Sequence, residues 1–517
     1  MPASLRAVFR RLTLDAGANS ASPARACSQL LLLWLALRTL IWIVIVIGNQ
    51  PNAPLDVIEM VGWGNAWQAG YPKHPPLPNW VAAAAARLSP GDVWGVYIAS
   101  YLASACCVWS AWQVGKAYLS PRLALFAALS VDGLLALTND VAEWNNNVAL
   151  NLGWALTAWF GFKAIRTEKL QWWLACGIGA GIGLLTKYTM VFHLAPIAAY
   201  LLLSPRGRRS LRGPGPYAAA AITLMMFIPH VIWVVTHDFT TLRFAASRTA
   251  GTHTWYSHLT NPVIFLLHQV AFIAPVIFIL VPLLKRQPLV APEHKSADPW
   301  LLRAAVIGPV ALFTLYGVIT GCQLRDIWGA TFWTYLGAWL LAEFGGTQDH
   351  SATSRAFRRW ALVVAILWGF FIVKQRCEPY LDPKPTRGHY PGRQLADEVN
   401  RRWNERYSHP FGVAAGEAWS AGNIACYSAH RPTMFTDWSV DYLMFDPARS
   451  PWTGDEDMRR RGGVIVWLAD QLGDDIPLVI RIRFPDAVAQ PPIVLPYQTG
   501  AHVPPLRIGV AFVPPEM

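Results

Sequence analysis

The chain has 517 residues, of which 54% are hydrophobic and only 14% are charged, and it contains 26 Trp. Its mean hydropathy is positive, at +0.29, which argues against an ordinary soluble enzyme and is typical of an integral membrane protein. The formal net charge is +12, and a membrane protein carries such an excess of Lys and Arg mainly in its cytoplasmic segments.

Long apolar runs recur from about Leu30 to about Val373, and a bilayer core of about 30 Å requires roughly 20 apolar residues for each helical span. These runs predict about eleven transmembrane helices, near residues 28–48, 93–114, 121–138, 148–164, 171–185, 188–204, 216–236, 261–284, 301–320, 327–343 and 360–375. If the N-terminus is cytoplasmic, the inside segments carry about 20 Lys and Arg against about 5 Asp and Glu, as the positive-inside rule requires. The basicity is therefore explained by topology, and nucleic-acid binding is disfavoured.

The composition changes after about residue 376, where no apolar run is long enough to span a membrane. QLADEVNRRWNERY has the pattern of an exposed helix, whereas FGVAAG, GGVIVWLA and RIGVAFVPP are typical of strands. We therefore predict a transmembrane domain in residues 1–376 and a soluble α/β domain in residues 377–517, placed outside the cytoplasm by an odd number of spans. Cys322, Cys377 and Cys426 would share that oxidising side, which favours a disulfide between Cys377 and Cys426.

The first outside loop, PLDVIEMVGWGNAWQAGYPKHPPLPNW, follows the first predicted span directly. Asp56 and Glu59 are three residues apart, so a helix would place both carboxylates on one face. Trp63 and Trp67 are four apart, which predicts a short amphipathic element at the membrane surface. From these residues alone, an interfacial helix whose acids merely face water is the favoured interpretation.

The other predicted outside loops also contain most of the polar residues that could take part in catalysis or binding. In chain order these are Asp140, Glu143 and Asn145 to Asn147; Lys187; Asp238, Arg243, Arg248, His253 and His258; and Arg325 with Asp326. Asp132 lies inside the third predicted span, where a carboxylate is rare and commonly functional. A structural and a functional role for Asp132 are both open at this point.

The first loop, with its two acids and a Trp-rich stretch ending in KHPPL, resembles that of the GT-C class of lipid-linked-sugar glycosyltransferases. The similar groups are family 39 and protein O-mannosyltransferase-like enzymes, the aminoarabinose transferase of lipid A and the rhizobial lipopolysaccharide galacturonosyltransferases. EWNNNVALNLGWAL, GIGAGIGLLTKY and DIWGATFW agree with this resemblance, which covers about residues 30–345. It implies an α-helical polytopic membrane protein of GT-C type, whereas the region after residue 376 matches only loosely and nothing is carried over to it.

The chain departs from the pattern of these families at two places. Val57 and Ile58 separate the two acids of the first loop, which are usually adjacent in the families. Either Glu143 or Asn147 occupies the position of a second-loop Asp, and the sequence does not choose between them.

The resemblance implies that the donor is a sugar linked by phosphate to a polyprenyl chain, so no nucleotide is needed. This agrees with the lack of a phosphate-binding Gly-rich loop in the sequence. A carboxylate is suited to deprotonate the acceptor hydroxyl, and we predict Asp56 as this base, supported by Glu59. A single displacement would invert the anomeric configuration.

The leaving polyprenyl phosphate requires cations. The predicted substrate-binding residues are Lys73 and Lys187, in that order of preference, then Arg243 and Arg325, together with His74, Glu143 and Asn147. Some relatives carry a divalent metal ion, for which Glu59, His253 and His258 are the candidate ligands, although scattered loop histidines are more often plain polar residues.

The predicted function is thus the inverting transfer of a sugar to a glycolipid, lipopolysaccharide or other envelope glycan at the outer face of a bacterial inner membrane. A protein O-glycosyltransferase is the alternative within the enzyme class. A secondary transporter or lipid flippase is the alternative from a different class, but its polar residues should cluster at mid-bilayer on broken helices, whereas here they concentrate in loops.

Overall fold

The computed structural model describes residues 23–249, 254–285, 298–381, 386–436, 450–499 and 502–516. The helices up to the last apolar one are α1 (Pro23–Asn49), α2 (Leu55–Gly64), α3 (Leu77–Ala86), α4 (Trp94–Gly115), α5 (Pro121–Leu129), α6 (Asn146–Thr167), α7 (Leu170–Leu184), α8 (Val191–Leu203), α9 (Pro205–Ser210), α10 (Gly215–Thr236), α11 (Thr240–Thr249), α12 (Ser257–Leu280), α13 (Pro299–Thr320), α14 (Leu336–Phe344) and α15 (His350–Leu381). The C-terminal helices are α16 (Gly392–Asn404), α17 (Ala418–Tyr427), α18 (Asp455–Arg461), α19 (Ala469–Leu472) and α20 (Leu478–Arg483).

The helical multi-pass fold is confirmed, whereas the number of eleven spans is not. Among the described residues, seven helices are long and apolar enough to cross a membrane: α1, α4, α6, α10, α12 with its short extension, α13 and α15. An eighth is obtained if Pro121–Gly133 and Leu135–Ala142, which meet at an angle of 95°, form one broken span. The predicted spans at 171–185 and 188–204 are shorter apolar helices, and the one at 327–343 is a 3-10 helix, Asp326–Tyr335, followed by α14.

A buried ion pair stabilises the break in this third span. Arg38 Nε lies 2.7 Å from Asp132 Oδ1, and both side chains are only 1% exposed. The indole N–H groups of Trp34 and Trp360 donate to Asp132 Oδ2, at 2.8 and 3.1 Å. Arg38 also donates to the carbonyl of Leu137, on the far side of the break. The carboxylate of Asp132 is thus fully engaged, which supports the structural role over the functional one.

The helices α6 and α7 pack closely because both carry glycine at the contact. A Cβ atom on Gly153 would lie 2.5 Å from the Cα of Gly183, a distance that real side chains do not reach. The same approach brings the first turn of α6, with Asn147, beside the turn that follows α7, with Lys187.

The C-terminal region forms a five-stranded sheet in the order β2-β1-β3-β5-β4. Its strands are β1 (Val413–Gly416), β2 (Thr433–Thr436), β3 (Gly463–Leu468), β4 (Val488–Leu495) and β5 (Leu506–Val513). β1 is parallel to β2 and β3, and β5 is antiparallel to β3 and β4. Helices α16 and α17 cover one face of the sheet, while α18 and α20 cover the other. The three predicted strands and the predicted helix are confirmed.

Two predictions are wrong: the disulfide between Cys377 and Cys426, and the position of Trp63 at the membrane surface. Cys377 and Cys426 are free thiols rather than a disulfide, because Cys377 is exposed on α15 whereas Cys426 is buried inside α17. Trp63 does not lie at the membrane surface, since it is 4% exposed and packs in the core beside the sheet. Trp67 lies beyond the end of α2, in a left-handed backbone conformation.

Candidate functional site

The helix α2 presents the two acids of the first loop. It begins after Pro54, whose extended backbone cannot continue a helix, and Asp56 in its first turn faces the positive end of the helix dipole. Glu59 follows one turn later, and both acids are half-buried while the residues between them, Val57 and Ile58, are fully buried. The separation by two apolar residues, unusual for the families, therefore keeps both carboxylates on one polar face.

Asp56 and Glu143 form a pair of neighbouring carboxyl groups. The backbone N–H of Asp56 donates to Glu143 Oε1 at 3.3 Å. Burial, followed by the charge of Asp56, raises the pKa of Glu143 to about 7. Burial also raises the pKa of Asp56, while Lys73, Arg248 and Arg387 act in the opposite direction. The pair can consequently hold one proton near neutral pH.

Glu59 and Lys73 form an ion pair at 2.5 Å beside this helix, with side chains 17% and 37% exposed. Lys73 also lies 5.2 Å from the ring centroid of Trp63. His74 follows in a tight turn closed by two backbone hydrogen bonds with Tyr71. Burial and then the charges of Lys187 and Lys73 lower the pKa of His74 to about 3, so its ring is neutral and Lys73 is the local cation.

Lys187 lies in the turn after α7 and is only 8% exposed. Its ammonium donates to the amide oxygen of Asn147 and lies 4.7 Å from the ring centroid of Trp328. Burial, followed by the charge of Arg325, lowers the pKa of Lys187 to about 7. Arg325 Nε is buried and has no hydrogen-bond partner in the part of the chain that the structure describes. These two cations make no ion pair with a carboxylate of the described ranges, so the position suits an anion.

A cavity of about 260 Å³ lies at the break of the third span. Two carboxylates, Asp140 and Asp326, line it together with apolar side chains that include Leu134, Phe272 and Ile327. Asp326 is the neighbour of Arg325 in the chain, and the charge of Asp140 also acts on Glu143. The cavity therefore combines an apolar wall with two carboxylates, one beside Arg325 in the chain and the other acting on Glu143.

Of the predicted substrate-binding residues, the structure brings Lys73, His74 and Glu143 to α2, and Asn147 and Arg325 to Lys187. Arg243 is exposed on α11, and its side chain makes no contact with the other candidates in the described ranges.

The predicted metal ligands do not form a metal site in the part of the chain that is described. No three His, Cys, Asp or Glu side chains there are grouped as metal ligands. Glu59 is paired with Lys73, and His258 donates to the carbonyl of Val318 at 2.8 Å. His253 lies outside the described residues.

Sequence reasoning missed two cations that act on Asp56. Arg248 was noted in the fourth loop without a role, and Arg387 was not considered. The carbonyl of Arg387 accepts from the amide of Asn52 at 3.2 Å, so a segment more than 300 residues away reaches the start of α2. No local signal marks this contact, because it depends on how the C-terminal region packs.

The sequence has relatives among known enzymes. Residues 73–233 match the protein family described as dolichyl-phosphate-mannose-protein mannosyltransferase. The lipopolysaccharide core galacturonosyltransferase RgtA of Rhizobium johnstonii is 24% identical over 492 residues, which cover 89% of this chain and 93% of that protein. The lipid A galacturonosyltransferase RgtD of the same organism is 25% identical over 230 residues, or 43% of this chain and 47% of that protein.

The fold has relatives among solved structures. ArnT from Cupriavidus metallidurans, in a crystal structure bound to undecaprenyl phosphate, superposes with a TM-score of 0.57 over 94% of this chain and 98% of that one, at 13% identity. Its apo form gives 0.56 over 95% and 98%, at 11% identity.

This chain is a membrane glycosyltransferase with the GT-C fold. The family match begins at Lys73 and includes Glu143, Asn147 and Lys187, so most of the candidate site of this glycosyltransferase falls within it. Asp56, Glu59 and Arg325 lie outside that segment. An enzyme is therefore favoured over the alternative of a secondary transporter or lipid flippase.

Proposed function

We propose that the enzyme transfers a sugar, with inversion, from a polyprenyl-phosphate-linked donor to a glycolipid of the lipopolysaccharide type at the outer face of a bacterial inner membrane. The observation that carries this proposal is the cation pair of buried Lys187 and half-buried Arg325, which has no carboxylate partner among the described residues. One structural neighbour, ArnT, was solved with undecaprenyl phosphate, and the relatives are named as lipopolysaccharide core and lipid A galacturonosyltransferases, which supports a lipid-linked donor and a glycolipid acceptor.

The cation pair would hold the donor phosphate. A phosphodiester carries one negative charge and acquires a second as the bond to the sugar breaks, so cations fixed beside it stabilise the transition state more than the ground state. Lys187 and Arg325 are held in place by the Asn147 amide and the buried turn, and they lose little water when the phosphate arrives. The apolar wall of the cavity is suited to the first isoprene units of the donor.

The carboxyl pair would activate the acceptor. As the acceptor oxygen forms its bond to the anomeric carbon, its proton passes to the Asp56 carboxylate, and the bond between that carbon and the phosphate oxygen breaks on the opposite side. Glu143 would stabilise the proton on Asp56, because the two carboxyl groups together favour a single shared proton near neutral pH. The products are the glycosylated acceptor and free polyprenyl phosphate.

Glu59 and His74 would have supporting roles. Glu59 holds the ammonium of Lys73 in place, and neutral His74 can offer a hydrogen bond to a sugar hydroxyl without adding charge. A galacturonosyl donor is the first sugar to test, since the relatives carry that name.

The proposed location follows from charge. The inside segments are rich in Lys and Arg when the N-terminus is cytoplasmic, which supports an outer-side location for α2, Lys187 and the C-terminal sheet. A protein O-glycosyltransferase remains a second candidate, because the matched family is described as acting on protein. Supplying a glycolipid or an unstructured Ser- and Thr-containing peptide as acceptor separates the two.

The deciding experiment measures release of free polyprenyl phosphate by the purified enzyme in lipid nanodiscs. The reaction contains a polyprenyl-phosphate-linked galacturonic acid and deacylated or intact lipopolysaccharide. We expect Asp56→Asn to reduce release by at least about 100-fold, since a lost general base costs roughly 10²–10⁴-fold in rate.

Asp238→Asn is the matched control for this experiment. Asp238 is exposed in a left-handed turn, a conformation that Asn adopts as readily as Asp, so full turnover is expected. Normal turnover by Asp56→Asn would refute the assignment of the base, and no release by the wild type with any glycolipid would refute the acceptor class.

A further inference from the structure

The C-terminal region holds both ends of the helix that carries Asp56 and Glu59. At the start of α2, the backbone N–H of Ala53 donates to the hydroxyl of Tyr427 at 2.8 Å, and both residues are buried. At its end, the side-chain amide of Asn65 donates to the carbonyl of Pro432 at 3.1 Å. A helix of ten residues is only marginally stable by itself, so these contacts contribute to its position.

The middle of the same helix packs directly on the C-terminal region. A Cβ atom on Gly62 would lie 2.0 Å from the sulfur of Met434, and one on Gly422 would lie 2.9 Å from the side chain of Ile58. Neither position has room for a larger residue without movement of its partner. The side of α2 that faces away from the acids is therefore fixed against α17 and β2 by direct contact.

A half-buried guanidinium, that of Arg431, extends this contact to the end of the first loop. Arg431 has a left-handed backbone, with φ at 50°, and its Nη2 donates to the carbonyls of Ala86, Ser89 and Asp92 at 2.7, 3.1 and 2.9 Å. These carbonyls follow α3, which itself begins directly after the turn that contains Lys73 and His74. Because one nitrogen of Arg431 donates to all three carbonyls, these hydrogen bonds specify one orientation of the end of the first loop.

We propose that Tyr427 and Arg431 are positioning residues for the transfer reaction, through which the C-terminal region sets the place of the Asp56 carboxylate. This inference rests on the proposed function, in which Asp56 is the base. The C-terminal region is thus part of the catalytic machinery rather than only a cover or an acceptor-binding module. Neither residue touches the substrates; both act through the backbone of the first loop.

The test compares kcat with the KM for the donor, because a misplaced base and a loss of folded protein affect them differently. Tyr427→Phe keeps the ring and leaves the N–H of Ala53 without its acceptor. We expect kcat to fall about tenfold, since small displacements of a catalytic group commonly cost this much or more. The donor KM should stay within about twofold, because Lys187 and Arg325 lie on other elements, so that only the step that uses Asp56 is slowed.

Tyr407→Phe is the matched control, because the Tyr407 hydroxyl makes no hydrogen bond within the described part of the chain. A second pair of variants, Arg431→Met and Arg431→Lys, keeps the proposal testable if Tyr427→Phe folds poorly. Arg431→Met should lower kcat more than Arg431→Lys, since Lys retains a charged donor that can reach some of the three carbonyls.

The outcomes separate this inference from the proposed function. If Asp56→Asn abolishes turnover while Tyr427→Phe and Arg431→Met leave kcat at the level of Tyr407→Phe, the positioning role is refuted and the base remains. If the two variants lower the melting temperature and the amount of active enzyme in parallel, with kcat per folded molecule unchanged, the role is structural only and the inference fails. If Asp56→Asn retains activity, the proposed base itself is wrong.

Discussion

The regions around Lys73 and Lys187 differ in how their charge is compensated. Lys73 lies beside a carboxylate, Glu59, and is 37% exposed. Lys187 is 8% exposed, and its ammonium is held by a neutral amide and an aromatic ring. The charge that acts on it is that of another cation, Arg325. Both lysines follow glycine or proline turns at the ends of short apolar helices, and sequence reasoning preferred Lys73.

The comparison indicates that the environment of a cation, rather than its presence in a motif, decides what it binds. A lysine that is already neutralised gains little when a phosphate approaches, because it must share its charge. A desolvated lysine beside an arginine gains a large attraction, since its own burial is unfavourable until an anion arrives. We therefore assign the donor phosphate to Lys187 and the orientation of the first loop to Lys73.

Replacing each lysine by Met tests this assignment and has the largest expected effect. We expect Lys187→Met to lower kcat/KM for the donor at least about 100-fold, because losing one partner of a desolvated charge pair costs roughly 2–5 kcal/mol. Lys73→Met should lower kcat/KM for the donor about tenfold or less. The comparison would be broken if the two variants lost equal activity, or if Lys73→Met were the more damaged.

A double-mutant cycle on Glu59 and Lys73 tests the second half of the comparison, the role of Lys73. If Lys73 serves mainly to hold Glu59, then Glu59→Gln and Lys73→Met should each lower kcat by up to about tenfold, and the double variant should be no worse than the poorer single one. Measured kcat values for the three variants decide this. Losses that multiply would show that each side chain acts independently on the substrate.

The smallest expected effect is a pH dependence that belongs to Lys187. Its pKa is lowered to about 7, so the free enzyme holds the charged form below that pH and loses it as the pH rises. A phosphodiester donor does not titrate in this range, and hence the donor KM should rise by about threefold to tenfold between pH 6.5 and 8.

Lys187→Arg provides the control for that dependence, because a guanidinium stays charged throughout. The donor KM of this variant should be nearly constant over the same range, even if it is higher at every pH. An unchanged slope in Lys187→Arg would assign the titration to another group, with Glu143, whose pKa is raised to about 7, as the first to examine.

Much of the fold was predictable because hydropathy and charge act over the whole chain. The helix with Asp56 and Glu59 on one face, the turn with Lys187 and three strands of the sheet all follow from periods of 3.6 and 2 residues. The number of spans was not predictable, because the break near Asp132 and the 3-10 helix from Asp326 depend on buried partners such as Arg38. Local pattern does not reveal such partners.

The candidate site was predictable as a set of residues but not as an arrangement. Glu143 and Asn147 were alternatives for one role, whereas the structure uses both, one beside Asp56 and the other beside Lys187. Trp63 had the pattern of an interfacial aromatic, yet it is covered by the C-terminal region. In each instance a tertiary contact between distant segments decided the outcome, and a single sequence contains no direct record of it.

The shortness of α7 has a consequence for the surrounding lipid. Its 15 residues span about 22 Å at 1.5 Å per residue, whereas the hydrocarbon layer is about 30 Å thick. If α7 lies along the membrane normal, the turn bearing Lys187 at its end lies below the level of the neighbouring headgroups unless the bilayer thins there. Under the proposed function, we therefore expect acyl-chain length in the host membrane to influence how readily a carrier lipid can present its phosphate to the enzyme.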